Sequence, residues 1–199
     1  EGGEQTPDYT DAKRSLLLDI GETAFNGTPF LSESGNLYDG TLGAIIIGNV
    51  YYRYLNANST AADIPDLHNE YVITHIAAEA FLGCSALERL DFGNVSLIQK
   101  IEKDALRDTK IIRTESEYND YFTVYNGILT DYYGPTVDAN ANNLIVPERV
   151  NTISSYAFGQ YARYFETLQI GPNVKRIENY AFNGANMLKG IILTDIDVK

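Results

Sequence analysis

The chain has 199 residues, of which 44% are hydrophobic and 21% charged, and its net charge is −12. These values fit a globular domain with a sizeable core. The negative charge argues against binding to nucleic acid or to anionic lipid, since both attract clustered Lys and Arg. Apolar runs are too short to cross a bilayer, so we expect no membrane insertion. With Cys84 as the only cysteine, a disulfide framework and a cysteine-based zinc site are excluded.

A nine-residue template recurs five times along the chain. Each copy has an aliphatic residue, Ile three positions later, Ala four positions after the Ile, and then Phe or Leu. Ala separations of 25 and 24 residues match the roughly 20–29-residue period of a leucine-rich repeat. One copy has too little apolar surface to fold alone, so we expect the copies to stack and to bury Ile and Ala in rows. The pairs are Ile20 and Ala24, Ile76 and Ala80, Ile101 and Ala105, Ile153 and Ala157, and Ile177 and Ala181.

Two strand-turn-strand segments occupy the longer separations between copies. The first, AIIIGNVYYRYL, turns at Gly48-Asn49, and the second, YFTVYNGILTDYY, turns at Asn126-Gly127. Asn-Gly between β-forming residues is a strong hairpin signal, because both turn residues need a positive φ. We therefore predict two β-hairpin insertions, at about 42–65 and 121–147, and the chain reads as two copies of a larger block.

A strand is predicted after the Ala in three copies, where apolar residues end in strict alternation. The template itself, with spacing i, i+3 and i+7, suits a helical turn or irregular coil on the outer side. Residues between the apolar strand positions point away from the core. They form a candidate ligand surface, which consists of Arg89, Asp91, Thr167, Gln169 and Ile192.

The hairpins are rich in tyrosine, which supplies 15 residues of the chain. Tyrosine offers a large, stiff contact area with a polar tip, which suits ligand recognition. It is also a good strand former that pairs across hairpins, so the cluster could be structural. Alternation makes neighbouring tyrosines face opposite ways, so only part of the cluster can bind. The candidate ligand contacts are Tyr51, Tyr52, Tyr54, Tyr132 and Tyr133.

Support for catalysis or metal binding is weak. Asp138, Asn140 and Asn142 read D-x-N-x-N, but the Gly and Glu that complete a calcium loop are replaced by Asn143 and Arg149. No Ser-His-Asp arrangement and no phosphate-binding glycine loop is present. We expect no catalytic residue, no metal site and no cofactor.

The stretches VPERVNTISSYAF, GPNVKRIENYAF and VITHIAAEAFLGCSALERLDF resemble the units of the BspA-like leucine-rich-repeat family. The resemblance extends over about residues 17–193. It implies a bacterial surface or secreted protein that binds other proteins or cell-surface material. It brings no shared catalytic residues.

We therefore predict one domain over residues 1–199, with an N-terminal segment at 1–16. Its class is α/β and β-rich: a right-handed leucine-rich-repeat solenoid with two β-hairpin insertions. The expected role is non-enzymatic binding of a protein, in an adhesion-type module outside the cell or on its surface. The alternatives are a carbohydrate-binding surface module that takes a cell-surface glycan and a structural spacer within a larger surface protein.

Overall fold

The computed structural model describes residue 12 and residues 20–21, 24–111, 121–134, 143–159 and 165–194. The predicted N-terminal segment 1–16, apart from residue 12, lies outside the described residues, as does the D-x-N-x-N loop. Two short 3₁₀ helices are present, at Pro29–Leu31 and Val95–Leu97. The strands are β1 Tyr38–Asp39, β2 Ala44–Ile47, β3 Val50–Tyr54, β4 Ala61–Ile64, β5 Leu67–His68, β6 Tyr71–Val72, β7 His75–Ile76, β8 Arg89–Phe92, β9 Lys100–Ile101, β10 Phe122–Tyr125, β11 Ile128–Tyr132, β12 Asn143–Ile145, β13 Thr152–Ile153, β14 Thr167–Ile170, β15 Arg176–Ile177 and β16 Gly190–Leu193.

Four of the five template isoleucines lie in two parallel ladders. The first predicted pair does not, because Ile20 is buried in a separate cluster and Ala24 is exposed. In the first ladder, formed by β3, β7 and β9, Ile76 pairs with Ile101. In the second ladder, formed by β11, β13 and β15, Ile153 pairs with Ile177. The Ala-Phe steps continue these rows, because the Phe81 amide donates to the Ala105 carbonyl and the Phe158 amide to the Ala181 carbonyl, both at 3.0 Å. The chain is therefore a β-rich solenoid, and α/β describes it loosely.

Each hairpin contributes its second strand to a ladder. Tyr51 of β3 lies beside Ile76, and Leu129 of β11 lies beside Ile153, so each takes the place of a template isoleucine. The amides of Tyr54 and Tyr132 donate to the carbonyls of the next Ala at 2.8 Å, as Phe does in the other coils. The interpretation of both hairpin strands as inserted is thus not confirmed, since β3 and β11 are rungs of the solenoid.

The two hairpins have the same internal geometry. β2 pairs antiparallel with β3 and β10 with β11, and both pairs carry a register shift at the same place. The predicted positive φ is present at both residues of the second turn, Asn126 (44°) and Gly127 (75°). In the first turn, Gly48 has a φ of 58°.

A left-handed corner separates Ile from Ala in four coils. The residue three positions after Ile has a φ of 54° to 62° although none is glycine. This bend turns the chain sharply, so that both Ile and Ala reach the interior in three of these coils, whereas Ile177 in the last one is 45% exposed. The predicted helical turn is wrong here, because the isoleucines lie on short strands and the i, i+3, i+7 spacing arises from the corner. These corner residues are Glu79, Asp104, Tyr156 and Tyr180.

The strands after the Ala form a second set of parallel sheets. β4 pairs with β8, and β14 lies between β12 and β16. Their burial alternates as predicted, with Leu90, Leu168 and Ile170 inside. The core is filled by the rows of Ile, Ala and Phe between the ladders and these sheets, and Cys84 is buried within it. In the last described coil, the inward-type positions Ile191 and Leu193 are exposed.

Candidate functional site

The sheet of β12, β14 and β16 presents an outer surface without charge, which we call the uncharged strand face. Ile145, Gln169 and Ile192 lie side by side in one row, and Asn143, Thr167 and Gly190 in another. Ile145 is 57% exposed and Ile192 is 47% exposed. The structure thus brings together three of the residues predicted from alternation, namely Thr167, Gln169 and Ile192. Ile145 was not predicted because its strand, β12, lies in one of the long separations between template copies.

Charged residues flank this face. Lys189 Nζ donates to Glu166 Oε1 at 2.7 Å, and both precede the strands that carry the row. Asn173 Nδ2 donates to the Glu148 carbonyl at 2.8 Å on the turns beyond the other strand ends. A central apolar row with polar edges is the arrangement found in protein interfaces.

The sheet of β4 and β8 carries charge at the equivalent positions, and we call it the charged strand face. Asp63 lies beside Asp91, and Ala61 lies beside Arg89. Arg89 Nε donates to both carboxylate oxygens of Asp91, at 2.9 and 3.1 Å. Arg89 and Asp91 therefore point outward as predicted, but they lie on a different sheet from Thr167, Gln169 and Ile192. They line a polar cleft of about 770 Å³ together with the loop at residues 55–59.

The prediction that the hairpin tyrosines form surface contacts is wrong for most of them, because their side chains are buried. Tyr51 is fully buried and stacks on Phe81, with 5.6 Å between ring centroids. Tyr54 is also buried, and its hydroxyl donates to the Ala61 carbonyl at 3.0 Å. Burial raises the pKa of Tyr51 well above its ordinary value, since the phenolate would lose its hydration.

Tyr52 faces the opposite side from Tyr51, as alternation predicts, but a second apolar cluster covers it. Phe25 packs edge-on against its ring at 5.5 Å, and Phe30 contacts Phe25 at 4.5 Å. Tyr132 is buried against Phe122, Phe158 and Phe165. Only Tyr133 reaches the surface, where it is half-buried and packs edge-on against Tyr121 at 5.9 Å.

Tyr156, which is half-buried, and Tyr180, which is exposed, form an aromatic pair at the surface that the cluster predicted on the hairpins did not include. Their rings stack with centroids 5.4 Å apart and 27° between planes, and Tyr180 is 68% exposed. The sequence carried the signal, because both VNTISSYAF and VKRIENYAF place Tyr before the Ala. Equal positions in stacked coils lie side by side, so a repeated Tyr predicts a stacked pair.

In the first ladder, the corner residues form ion pairs instead of an aromatic pair. Arg107 donates to Glu79 Oε1 at 2.7 Å and to Asp104 Oδ2 at 3.3 Å, so it bridges the corners of two coils. Lys103 lies between the two halves: its ammonium is 3.7 Å from Asp104 and 4.8 Å from the centroid of the Tyr156 ring. The corner residues thus form a continuous row along the solenoid, which we call the corner row; its first half is ionic and its second half is aromatic.

Among the described acidic residues, Asp131 has the pKa that is shifted most strongly. Burial raises the pKa of its carboxyl to about 7, a hydrogen bond with Thr130 opposes this, and the negative charge of Asp104 adds to it. Asp131 occupies the hairpin position that Arg53 takes in the first hairpin, since each lies opposite the residue before the register shift. A single acid in this state is not a catalytic pair, which needs a second carboxylate about 5–10 Å away in a cleft.

Within the described part of the chain, no group of three or more His, Cys, Asp or Glu residues could hold a metal ion. Nor does any helix in that part have the length and apolar character needed to cross a membrane.

Comparison with known families identifies the repeats. The family described as BspA type leucine rich repeat region matches residues 46–130 and 137–198, in six copies. These residues make up more than half of the chain, so the chain belongs to this family. The two ladders likewise contain six strands, because the hairpin strands β3 and β11 count as rungs. A comparison with curated protein sequences gives no significant match.

Three solved structures match this chain, all at low identity and with low TM-scores. The pneumococcal vaccine antigen PcpA is 19% identical, with a TM-score of 0.33, and the match covers 67% of this chain and 39% of that one. A leucine-rich-repeat protein of T. pallidum is 14% identical, with a TM-score of 0.33 and coverage of 71% and 62%. A leucine-rich cell surface protein from Faecalibacterium prausnitzii is 17% identical, with a TM-score of 0.31 and coverage of 73% and 42%. The matched region therefore spans less than two thirds of each of these proteins.

Proposed function

We propose that the chain is a non-enzymatic, adhesion-type module, outside the cell or on its surface, that binds a protein through the uncharged strand face. The observation that carries this proposal is the exposed row of Ile145, Gln169 and Ile192, which lies on a sheet supported by a buried core. The large apolar side chains in this row are exposed to water, and covering them with a partner removes apolar surface from water, which favours binding. Membership of a leucine-rich-repeat family supports a binding role, since solenoids present extended surfaces to partners.

The proposed partner offers an uncharged, partly apolar surface. Isoleucine side chains are rigid and cost little entropy when a partner orders them, whereas Gln169 and Thr167 supply hydrogen-bonding groups between them. The Lys189–Glu166 ion pair at the edge contributes little to affinity, because exposed pairs are well solvated. Affinity should therefore depend weakly on salt.

The solenoid is proposed to coil to the right, because parallel strand connections in one sheet are right-handed in about 98% of cases. In this arrangement, only the first strand of each hairpin, β2 and β10, is additional to the repeat. Each such strand pairs with the rung at the start of its ladder.

A binding screen tests the proposal. Binding of the purified chain to a panel of purified extracellular proteins is measured by surface plasmon resonance. Binding of the Ile145→Thr/Ile192→Thr variant is then measured in the same way. Threonine keeps the β-branched shape that suits a strand but removes apolar area. The variant should bind at least tenfold more weakly, whereas Arg89→Ala, on the charged strand face, should bind within about twofold of the parent.

Two outcomes contradict the proposal. If no protein in the panel binds, a structural spacer within a larger surface protein is the better explanation. If Arg89→Ala abolishes binding and the isoleucine variant retains it, the partner docks on the charged strand face instead.

A further inference from the structure

The exposed tyrosine pair lies on a different surface from the uncharged strand face. Tyr156 and Tyr180 belong to the coils of β13 and β15 in the second ladder, whereas the uncharged strand face belongs to β12, β14 and β16. Tyr156 supports the Tyr180 ring from below in the stack, at 5.4 Å. Tyr180 therefore presents a broad, fixed aromatic surface to solvent.

A polar cleft of about 350 Å³ adjoins this pair. Lys103 lines the cleft and also lies over the Tyr156 ring, and Asn179 lines it as the chain neighbour of Tyr180. The same cleft is lined by Lys100, Glu102, Ser155, Arg176, Ile177 and Glu178. Hydrogen-bonding groups thus surround one edge of the aromatic surface.

Two charged groups of the cleft, Arg176 and Glu178, have no ion-pair partner among the described residues. Lys100 Nζ donates to Glu102 Oε1 at 3.0 Å, and Ser155 donates through its amide and hydroxyl to Glu178 Oε2 at 3.3 Å. The guanidinium of Arg176 is exposed and forms no hydrogen bond or ion pair with the rest of the described chain. Three cations and two carboxylates line the cleft, so its lining is net positive in a protein with a net charge of −12, and this favours an anionic ligand.

We propose that this surface binds an acidic saccharide, with a pyranose ring on Tyr180 and its carboxylate on Arg176. The C–H face of a pyranose is apolar and weakly positive, so it packs on the negative face of an aromatic ring. A guanidinium binds a carboxylate through two parallel N–H donors, which gives orientation as well as affinity. Asn179, the chain neighbour of Tyr180, has a side-chain amide that can donate to the hydroxyl groups of the sugar.

Other ligand classes fit this surface less well. A nucleic acid also combines stacking rings with anionic groups, but it needs several phosphate contacts along a basic track. Here Glu102 and Glu178 interrupt the cations within a single cleft. A single acidic sugar residue requires only the one unpaired cation and the one aromatic surface.

The test is an isothermal calorimetry titration with a tetrasaccharide of galacturonic acid and with its methyl ester. The ester keeps the rings and hydroxyls but removes the negative charge. The acid form should bind at least tenfold more tightly than the ester. A glycoprotein that carries uronic acid sugars, measured in a separate arm, shows whether free and protein-linked glycans are both accepted.

Three variants assign the binding to this surface. Tyr180→Ala should weaken binding of the acid form at least tenfold, whereas Tyr180→Phe, which keeps the ring, should remain within about twofold. Arg176→Gln should weaken the acid form at least tenfold and leave the ester unchanged. Tyr121→Ala, at an exposed tyrosine elsewhere, is the matched control and should have no effect.

The proposal is overturned if the acid form does not bind, if acid and ester bind equally, or if Tyr180→Ala and Arg176→Gln leave binding unchanged. Because the site shares no residue with the uncharged strand face, the Ile145→Thr/Ile192→Thr variant should bind the saccharide normally. Failure here and failure of the protein-binding proposal are therefore distinguishable.

Discussion

The two ladders share a backbone but differ in the side chains that they display. Both consist of a hairpin strand followed by two template strands, with corresponding registers and left-handed corners. On the outside, the first half carries the Glu79–Arg107–Asp104 ion pairs and a charged strand face, whereas the second half carries the tyrosine pair and an uncharged strand face. The inward residues thus fix the solenoid, while outward positions are free to differ in chemistry. The exposed apolar and aromatic side chains on which both binding proposals rest therefore lie in the second half.

The largest expected effect tests whether the two cores are equivalent. Phe81→Ala and Phe158→Ala each remove a fully buried ring from the same position in the coil. Each should lower the free energy of unfolding by about 3–5 kcal/mol, through lost burial and the cavity left behind. Urea unfolding followed by circular dichroism measures both. A large loss for one variant and almost none for the other would show that one half does not contribute to a common core.

The next prediction concerns Asp131, which stands where the first hairpin has Arg53. Its folded-state pKa of about 7 is above its ordinary value of 3.8, so folding disfavours the charged carboxylate. This cost is absent below about pH 4, grows between pH 4 and pH 7, and is complete above that range. Asp131→Asn should therefore stabilise the protein at pH 8, by up to about 4 kcal/mol, and change little at pH 4.

Thermal unfolding of Asp131→Asn and of the parent at pH 4, 6 and 8 measures this difference. Arg53→Gln, at the equivalent position of the first hairpin, serves as the control. Equal effects of Asp131→Asn at all three pH values would contradict the account.

A smaller difference is expected between a glycine substitution in the hairpin turn and one in an open loop. Gly127 and Gly83 both have positive φ, 75° and 85°. A Cβ on Gly127 would meet the side chain of Asn151, whereas a Cβ on Gly83 meets nothing within 4 Å. Gly83→Ala should cost about 1 kcal/mol and Gly127→Ala about 2–3 kcal/mol, as measured by urea unfolding. Equal costs would mean that the turn does not approach the neighbouring coil.

The smallest effect distinguishes the ionic and aromatic halves of the corner row. Arg107→Ala should lower the free energy of unfolding by about 0.5–1 kcal/mol, and this loss should shrink in 1 M salt. Tyr180→Ala should cost about 0.5–1 kcal/mol at either salt concentration, because stacking is not screened. A salt-sensitive loss for Tyr180→Ala, or a salt-independent loss for Arg107→Ala, would reverse the assignment.

The rows of the solenoid could be predicted because the sequence repeats them. Ile76, Ile101, Ile153 and Ile177 occupy equal template positions, and equal positions in stacked coils become neighbours. The rungs in the hairpins were missed because Tyr51 and Leu129 replace Ile, and because no Ala follows four positions later. The left-handed corners were missed because Glu and Tyr, which occupy three of the four corners, are not typical of that conformation.

The candidate site was harder to predict because exposure depends on distant parts of the chain. Tyr52 lies on the outer side of its hairpin, and it becomes part of a second core through Phe25, Ile20 and other residues distant in the chain. Arg89 and Asp91 were correctly placed on an outer face, because alternation is a local property. Their separation from Thr167 and Gln169 on another sheet follows from pairing between distant strands, which local patterns do not encode.

The most direct test of the account is whether the second strand of each hairpin is a rung of the solenoid. Nuclear Overhauser effects measured on the isotope-labelled chain report which backbone protons lie close together across neighbouring strands. We predict parallel-strand contacts between Leu129 and Ile153 and between Tyr51 and Ile76. Contacts of β3 and β11 with their hairpin partners alone, and none with the following template strands, would contradict the account.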